Sequence, residues 1–388
     1  MSDAQAHTPH TRTSPPPTSL ADLLALAALA PSSHNCQPWH VSLLDAEGRP
    51  VSGPDVPRRL VISIDRRRAL DALPALRTEM SISAGGFAVI LLNLLRLAGW
   101  QAEAALLPAP CDVPDGSLSP LVRIELGGFH PGRALPLLAR LAAALRHRRT
   151  DRGEYGGTFD LYALGRCNLL PHSLGGVADG LRWRVVQPGE RYERLCAFYR
   201  HHAARDFVHR AAWRETYRHL VFSDAESVPD GIGINIQSLF GPMPAWRRQL
   251  HRVLLHPALL AAFGPVGASA RIGVHLERLI RGSPAVMVLS AAESCPLASR
   301  DVLAGEAIVR LWLAATAQGL SLHPLSVALQ HPDLRATLGR LLGCEESLLF
   351  IARVGAPLQA SGPSRRYRRE PAQFCSPPPA ADAPVFTQ

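Results

Sequence analysis

The sequence predicts an α+β fold in which helices pack on small, mainly antiparallel sheets, and three observations carry that expectation. Apolar residues recur at helical spacing over Leu20, Leu23, Leu24 and Ala27, again over residues 75–98, and again over 301–318. Strand-like runs follow one another without a helix between them, at 40–44 and 60–64, and flank the long helical stretch again at 102–107 and 121–126. The 388 residues are enough for two domains or one large domain with insertions, and for a full core.

Taken in order, residues 1–18 are rich in Pro, Ser, Thr and His with almost no apolar content, which predicts a disordered arm. The first helix runs from about Thr18 to Pro31, whose ring cannot follow a continuing helix. Pro50, Gly53, Pro54 and Pro57 make a turn-rich connection between the first two strands. The helix over 75–98 carries Met80, Ile82, Phe87, Ile90, Leu91 and Leu94 on most of its sides and therefore belongs in the middle of a domain. Its Gly85 and Gly86 each cost about 1 kcal/mol relative to Ala, which close packing against backbone or ligand would explain. With the two strands after it, this helix completes a first half, 19–130.

A second half, 131–370, opens with a helix over 135–145 and continues through a strand at 181–186 and a helical region over 190–219. A buried strand at 285–289 precedes the helix over 301–318, which places Ile308, Leu311, Trp312 and Ala315 on one face and stops at Gly319. A strand at 348–354 follows. Residues 223–271 are apolar but repeatedly broken by Gly and Pro, and read equally as a lid or as a peripheral helical insertion. Residues 371–388 read as a flexible tail.

Composition excludes several function classes. All 41 basic residues are Arg, so a lysine Schiff base and the P-loop Lys are both ruled out. The net charge of +9 comes from Arg scattered along the chain rather than gathered with aromatics on one module, which argues against nucleic acid. Seven Cys without a C-x-x-C pair fit neither a disulfide framework nor a zinc site, and the 16 His form no metal-binding motif. Apolar stretches are broken before a membrane-spanning length and the N-terminus lacks a signal peptide, so a cytoplasmic protein with no membrane partner is expected.

Two stretches concentrate chemistry. Pro31-Ser32-Ser33-His34-Asn35-Cys36-Gln37-Pro38-Trp39 sets hydroxyls and amides on an irregular backbone, which suits a planar polar ligand, although the same residues make an ordinary helix-stop loop. In Arg148-Arg149-Thr150-Asp151-Arg152, three guanidiniums flank a hydroxyl and suit a phosphate, although such a run is also a self-paired helix end.

The first stretch resembles the Pro-Ser-x-x-Asn-x-Gln-Pro-Trp signature of the FMN-dependent nitroreductase superfamily, and the second is similar to that family's Arg-Arg-Ser/Thr-x-Arg motif. Gly319-Leu320-Ser321-Leu322-His323-Pro324-Leu325-Ser326 resembles the segment that passes the flavin N5 edge, with Ser326-Val327 standing where the family has Glu-Gly. The resemblance covers most of 19–370. The Pro-Ser motif preceding the Arg motif is similar to the Acg-like branch, in which one chain carries two nitroreductase-like halves and mimics the dimer.

What the resemblance implies is a nitroreductase-like, pseudo-dimeric fold and an FMN-dependent oxidoreductase with one complete flavin site per chain. The residues it implies for FMN are Pro31, Ser32, Ser33, Asn35, Gln37, Arg148, Arg149, Thr150, Arg152, Pro324, Leu325, Ser326, Arg365 and Arg366, the last two competing with a solvated basic tail. A small organic molecule would exchange a hydride at N5, either reduced with electrons from NAD(P)H or oxidised as a biosynthetic intermediate. The other reading is a flavin-sequestering protein whose closed lid keeps NAD(P)H out. No acid or base stands out, and the chain is expected as a monomeric pseudo-dimer or a further homodimer. A serine hydrolase ranks far behind, because no G-x-S-x-G is present.

Overall fold

The computed structural model describes residues 19–51, 57–108, 117–130, 135–175, 180–223, 228, 231–263, 268–359 and 366–377. The expected N-terminal arm lies outside them. Ser19 caps the first helix, Leu20–Ala27, in a reciprocal box with Asp22.

Strands β1 (Trp39–Leu44) and β2 (Arg59–Asp65) pair antiparallel, with Trp39 opposite Ile64. Along β1 buried and half-buried residues alternate, which is the period-two signature of a strand with one face on the core. Strands β3 (Trp100–Leu106) and β4 (Leu118–Phe129) extend this first sheet through the β2–β4 pairing. The second sheet runs β10 (Ser321–Pro324), β11 (Ser347–Pro357), β9 (Ala285–Ala291) and β6 (Leu181–Val186), antiparallel throughout, with β5 (Tyr155–Gly156) also on β11. A small parallel pair joins β7 (Leu220–Val221) to β8 (Ile234–Asn235). The α+β expectation holds.

Between the sheets, the helix Pro74–Ala98 packs along the helix Leu297–Ala317. Glycines make the approach possible. A Cβ on Gly85 would lie 2.2 Å from the Val302 carbonyl oxygen, and one on Gly305 would lie 2.0 Å from that of Ile82. Close packing against backbone is thus the reason these glycines sit inside a helix of otherwise good formers. Pro74–Ala98 also corrects an expectation, for it is long and apolar enough to cross a membrane, and it is mostly buried as the central helix of the fold.

Two further expectations change. The helical region after residue 190 is divided into Glu190–His202, Arg205–Val208 and Arg210–Arg218. The expected tail is ordered over 371–377: a helical turn, Pro371–Phe374, buries Phe374 edge-on to Phe87, and β12 (Cys375–Ser376) pairs parallel with β1. The apolar Phe374 and Cys375 explain this, since both enter the core of the first sheet. Residues 378–388 lie outside the described residues.

Candidate active site

Pro31 follows the first helix, and the chain then turns through a 3₁₀ turn, Ser33–Asn35. His34, Asn35 and Gln37 take φ of 49°, 54° and 47°, a left-handed conformation that non-glycine residues adopt at a cost. Hydrogen bonds from two distant segments hold them there. The Asn35 amide donates to the carbonyls of Gly233 (3.0 Å) and Tyr367 (2.9 Å), and its Oδ1 accepts from Arg368 (2.8 Å). Gln37 donates to the Gly231 carbonyl (2.6 Å) and accepts from the Arg369 backbone N–H (3.0 Å). A Cβ at Gly231 would lie 2.3 Å from the Arg368 carbonyl oxygen, so only glycine lets these segments close together.

Beside this clasp is a cavity of about 270 Å³. Of the residues expected at a site, Pro31, Ser32, Ser33, Asn35, Arg148, Arg149, Thr150, Arg152, Pro324, Ser326 and Arg366 line it. The Arg motif meets the 319–326 segment because Thr150 bridges Leu322 in parallel, which lays it along β10, and it meets the Pro31 side where Arg148 donates to the Leu29 carbonyl. Three expected residues do not line the cavity. Gln37 is fully buried behind it as part of the clasp. Leu325 turns into the second core, with its N–H on the Ile351 carbonyl and its own carbonyl accepting from Tyr199 Oη. Arg365 lies outside the described residues.

Arginine is prominent in the lining. Arg148, Arg152, Arg366 and Arg368 line the cavity, and among the described residues no ion pair includes any of them. Arg148 stacks over Trp312 at 4.9 Å and donates to the Leu29 carbonyl, while Arg366 donates to the carbonyls of Arg146 (2.6 Å) and His147 (3.0 Å) at a helix C-terminus. Burial, and then the neighbouring Arg368 and Arg366, push the Arg148 guanidinium well below its ordinary range. Burial pulls Arg152 and Arg368 each down to about 10. His34 falls to about 4 through burial, His219 and Arg152, and is neutral at pH 7. Buried polar atoms of this lining also lack partners: Arg148 Nε, Arg368 Nε, His34 Nδ1 and Trp312 Nε1. Several cations held together without an anion are the donor set for an anionic ligand.

Glu79 reaches the cavity from the central helix. Ser33 Oγ donates to its Oε2 and Gln330 Nε2 to its Oε1 at 3.1 Å. Burial raises its pKa, Asp206 adds to the rise, and Ser33, Gln330 and Arg335 oppose it. This corrects the expectation that no acid or base stands out. Of the residues expected at FMN, Asn35 and Ser33 line the cavity with their hydrogens already used, because both amide hydrogens of Asn35 and the hydroxyl hydrogen of Ser33 are engaged within the protein. Ser32 Oγ accepts from the Gln37 N–H and keeps its own O–H for the cavity.

Sequence reasoning missed Glu79, Gln330, Arg368 and Asn235. Arg368 and Asn235 stood in stretches it had singled out, one in the basic run 365–369 and one in the broken region after 223. Glu79 carried no local signal, since it is a single carboxylate in a helix read for its apolar residues. Of the broken region, Gly233, Ile234, Asn235 and Ser238 line the cavity, and the helix Ala245–Leu254 stands away from it.

No family model matches the chain. Over 361 residues it is 31% identical to a probable NAD(P)H nitroreductase, PigM, of Serratia sp. (strain ATCC 39006), covering 89% of this chain and 90% of that one. Among solved structures it is similar to the FMN-dependent nitroreductase NfnB of Mycobacterium smegmatis in complex with NADPH, at 18% identity and a TM-score of 0.33 over 58% of this chain and 90% of that one. A proposed nitroreductase of Anabaena variabilis matches at 10% identity and a TM-score of 0.48 over 85% of this chain and 82% of that one.

Proposed function

The chain belongs to the nitroreductase family and is an oxidoreductase, and from that premise we propose that it binds one FMN in the cavity and passes a hydride between flavin N5 and a small organic molecule, with NAD(P)H as reductant. The observation that carries the cofactor is the set of four cavity-lining arginines, Arg148, Arg152, Arg366 and Arg368, none of which has an ion pair among the described residues. A phosphate monoester brings the charge and acceptor oxygens they lack. The Pro31 loop and the 324–326 segment stand on the same cavity, as expected for residues along a flavin ring. We read the chain as two nitroreductase-like halves, 19–130 and 131–370, in the Acg-like arrangement, with 223–271 as a lid whose 233–238 part forms one cavity wall.

When bound, FMN supplies the electron pair as hydride. The protein's own work is binding, orientation and proton supply. Arg148 and Arg152 anchor the phosphate end, and the clasp of Asn35 and Gln37 fixes the loop that carries Ser32. The two-electron reduction of a nitro group to a nitroso group takes one hydride and one proton and releases water. A neutral Glu79, held in the cavity by the bonds that Ser33 Oγ and Gln330 Nε2 donate to it, supplies that proton and is refilled from solvent. In the opposite direction, oxidation of a hydroxyl-bearing substrate, the ionised carboxyl takes the proton.

The test is FMN titration of the purified protein followed by anaerobic NADPH. Stoichiometric uptake of one FMN per chain and rapid bleaching support the reading. Bound flavin that stays oxidised favours the sequestering role, and failure to take up FMN overturns the assignment of the cavity.

A further inference from the structure

The helix Ala245–Leu254 is amphipathic with its apolar side turned outward. Steps of 100° per residue put Trp246, Leu250, Val253 and Leu254 on one stripe, and these are 68%, 45%, 56% and 55% exposed. Arg248, on the opposite side, is buried and donates to the Met243 carbonyl at 3.0 Å. A surface helix of a globular protein ordinarily does the reverse and lays its apolar stripe on the core. Phe240, 50% exposed, extends the patch with its ring 5.1 Å from that of His251.

The charge of the segment that carries this stripe has one sign. Arg247 and Arg252 are exposed on either side of it, and from Gly231 to Leu276 the sequence contains four Arg and neither Asp nor Glu. We propose that this helix docks the protein on an anionic lipid surface, with Trp246, Leu250, Val253, Leu254 and Phe240 in the boundary between headgroups and acyl chains and Arg247 and Arg252 at the headgroup phosphates. Amphipathic helices with Trp and Leu on one face and Arg beside it lie in this plane. A second copy is disfavoured as occupant, because a twofold pairing of the stripe would set Arg247 and Arg252 of both copies together with no carboxylate in the segment to answer them. The expectation of no membrane partner rested on spanning length and does not bear on a helix lying in the surface. Since Gly233, Ile234, Asn235 and Ser238 line the cavity and the chain leads on through Phe240 into this helix, the attachment adjoins a wall of the proposed active site.

A single helix of 10 residues gives weak, reversible attachment, so the assay is flotation of the full chain with vesicles. Wild type is expected to float with phosphatidylcholine mixed with phosphatidylglycerol and to stay behind with phosphatidylcholine alone. The variant Trp246→Ser/Leu250→Gln/Leu254→Gln, its fold checked by circular dichroism, is expected to lose binding by about tenfold or more, because the apolar contribution scales with buried hydrocarbon. Arg247→Glu/Arg252→Glu should lose it as well. Three results overturn the proposal: no flotation of wild type, undiminished flotation of the apolar variant, or concentration-dependent self-association that the apolar variant abolishes.

Discussion

Arg148 is a buried cation with a ring beneath it, a backbone carbonyl at one nitrogen and no carboxylate partner among the described residues. Such a group is tolerated for what it binds, so removing it should separate binding from stability. Arg148→Met is expected to leave the FMN-free protein as stable as wild type or more so. Together with Arg152→Ala it should weaken FMN binding by about 1.5–3 kcal/mol for each charge-assisted hydrogen bond to the phosphate that is removed, as read by flavin fluorescence. Lower stability with unchanged flavin affinity would make both residues structural. Glu79 and His34 predict opposite pH trends. With its folded pKa raised, Glu79 contributes stability that is complete below its ordinary 4.5 and is lost as pH climbs through the folded value, so Glu79→Gln should gain on wild type over that rise. His34, lowered from 6.5 to about 4, contributes stability that is present above 6.5 and lost as pH falls through about 4, which His34→Gln should remove. Urea melts across pH 4–8 check both. The arginines and the Pro31 loop were legible at this scale because they are contiguous motifs. Glu79 was not, because its role comes from Ser33 and Gln330, which lie 46 and 251 residues away.

At the scale of elements, the packing of Pro74–Ala98 on Leu297–Ala317 depends on missing side chains. Gly305→Ala gains helix propensity of at most about 1 kcal/mol. Its Cβ, however, would stand 2.0 Å from the Ile82 carbonyl oxygen, so the two helices must part, at about 1–3 kcal/mol or more. Thermal unfolding should therefore show clear destabilisation in Gly305→Ala and Gly85→Ala. Gly165→Ala, with nothing within 4 Å of the new Cβ, should be neutral or mildly stabilising. Periodicity located these helices to within a few residues, and the sequence flagged Gly85 and Gly86 but not Gly305; it could not say which of the alternatives, backbone or ligand, they approached. The β1 and β4 strands were legible as the strand-like runs 40–44 and 121–126. The two-residue strands β5, β7, β8 and β12 were not, because so short a run has no period and exists only through its partner.

At the scale of the whole molecule, the C-terminal segment ties everything before it together. Residues 366–369 hold the Pro31 loop through Asn35 and Gln37, and β12 adds an outer strand to the sheet begun by β1. Replacing Gln37 with Ala should loosen that tie, with FMN affinity falling more than global stability, as flavin titration and urea melts on the same variant would show. The β12 pairing was not visible in the sequence, where residues 371–388 read as a tail, because pairing over more than 330 residues leaves no local mark. The return of the chain to its start also orders the folding itself: the anchors of Asn35 and Gln37 come from residues 231–233 and 367–369, so the Pro31 loop takes its final shape only after both distant segments have docked, and the proposed site is among the last parts of the molecule to form.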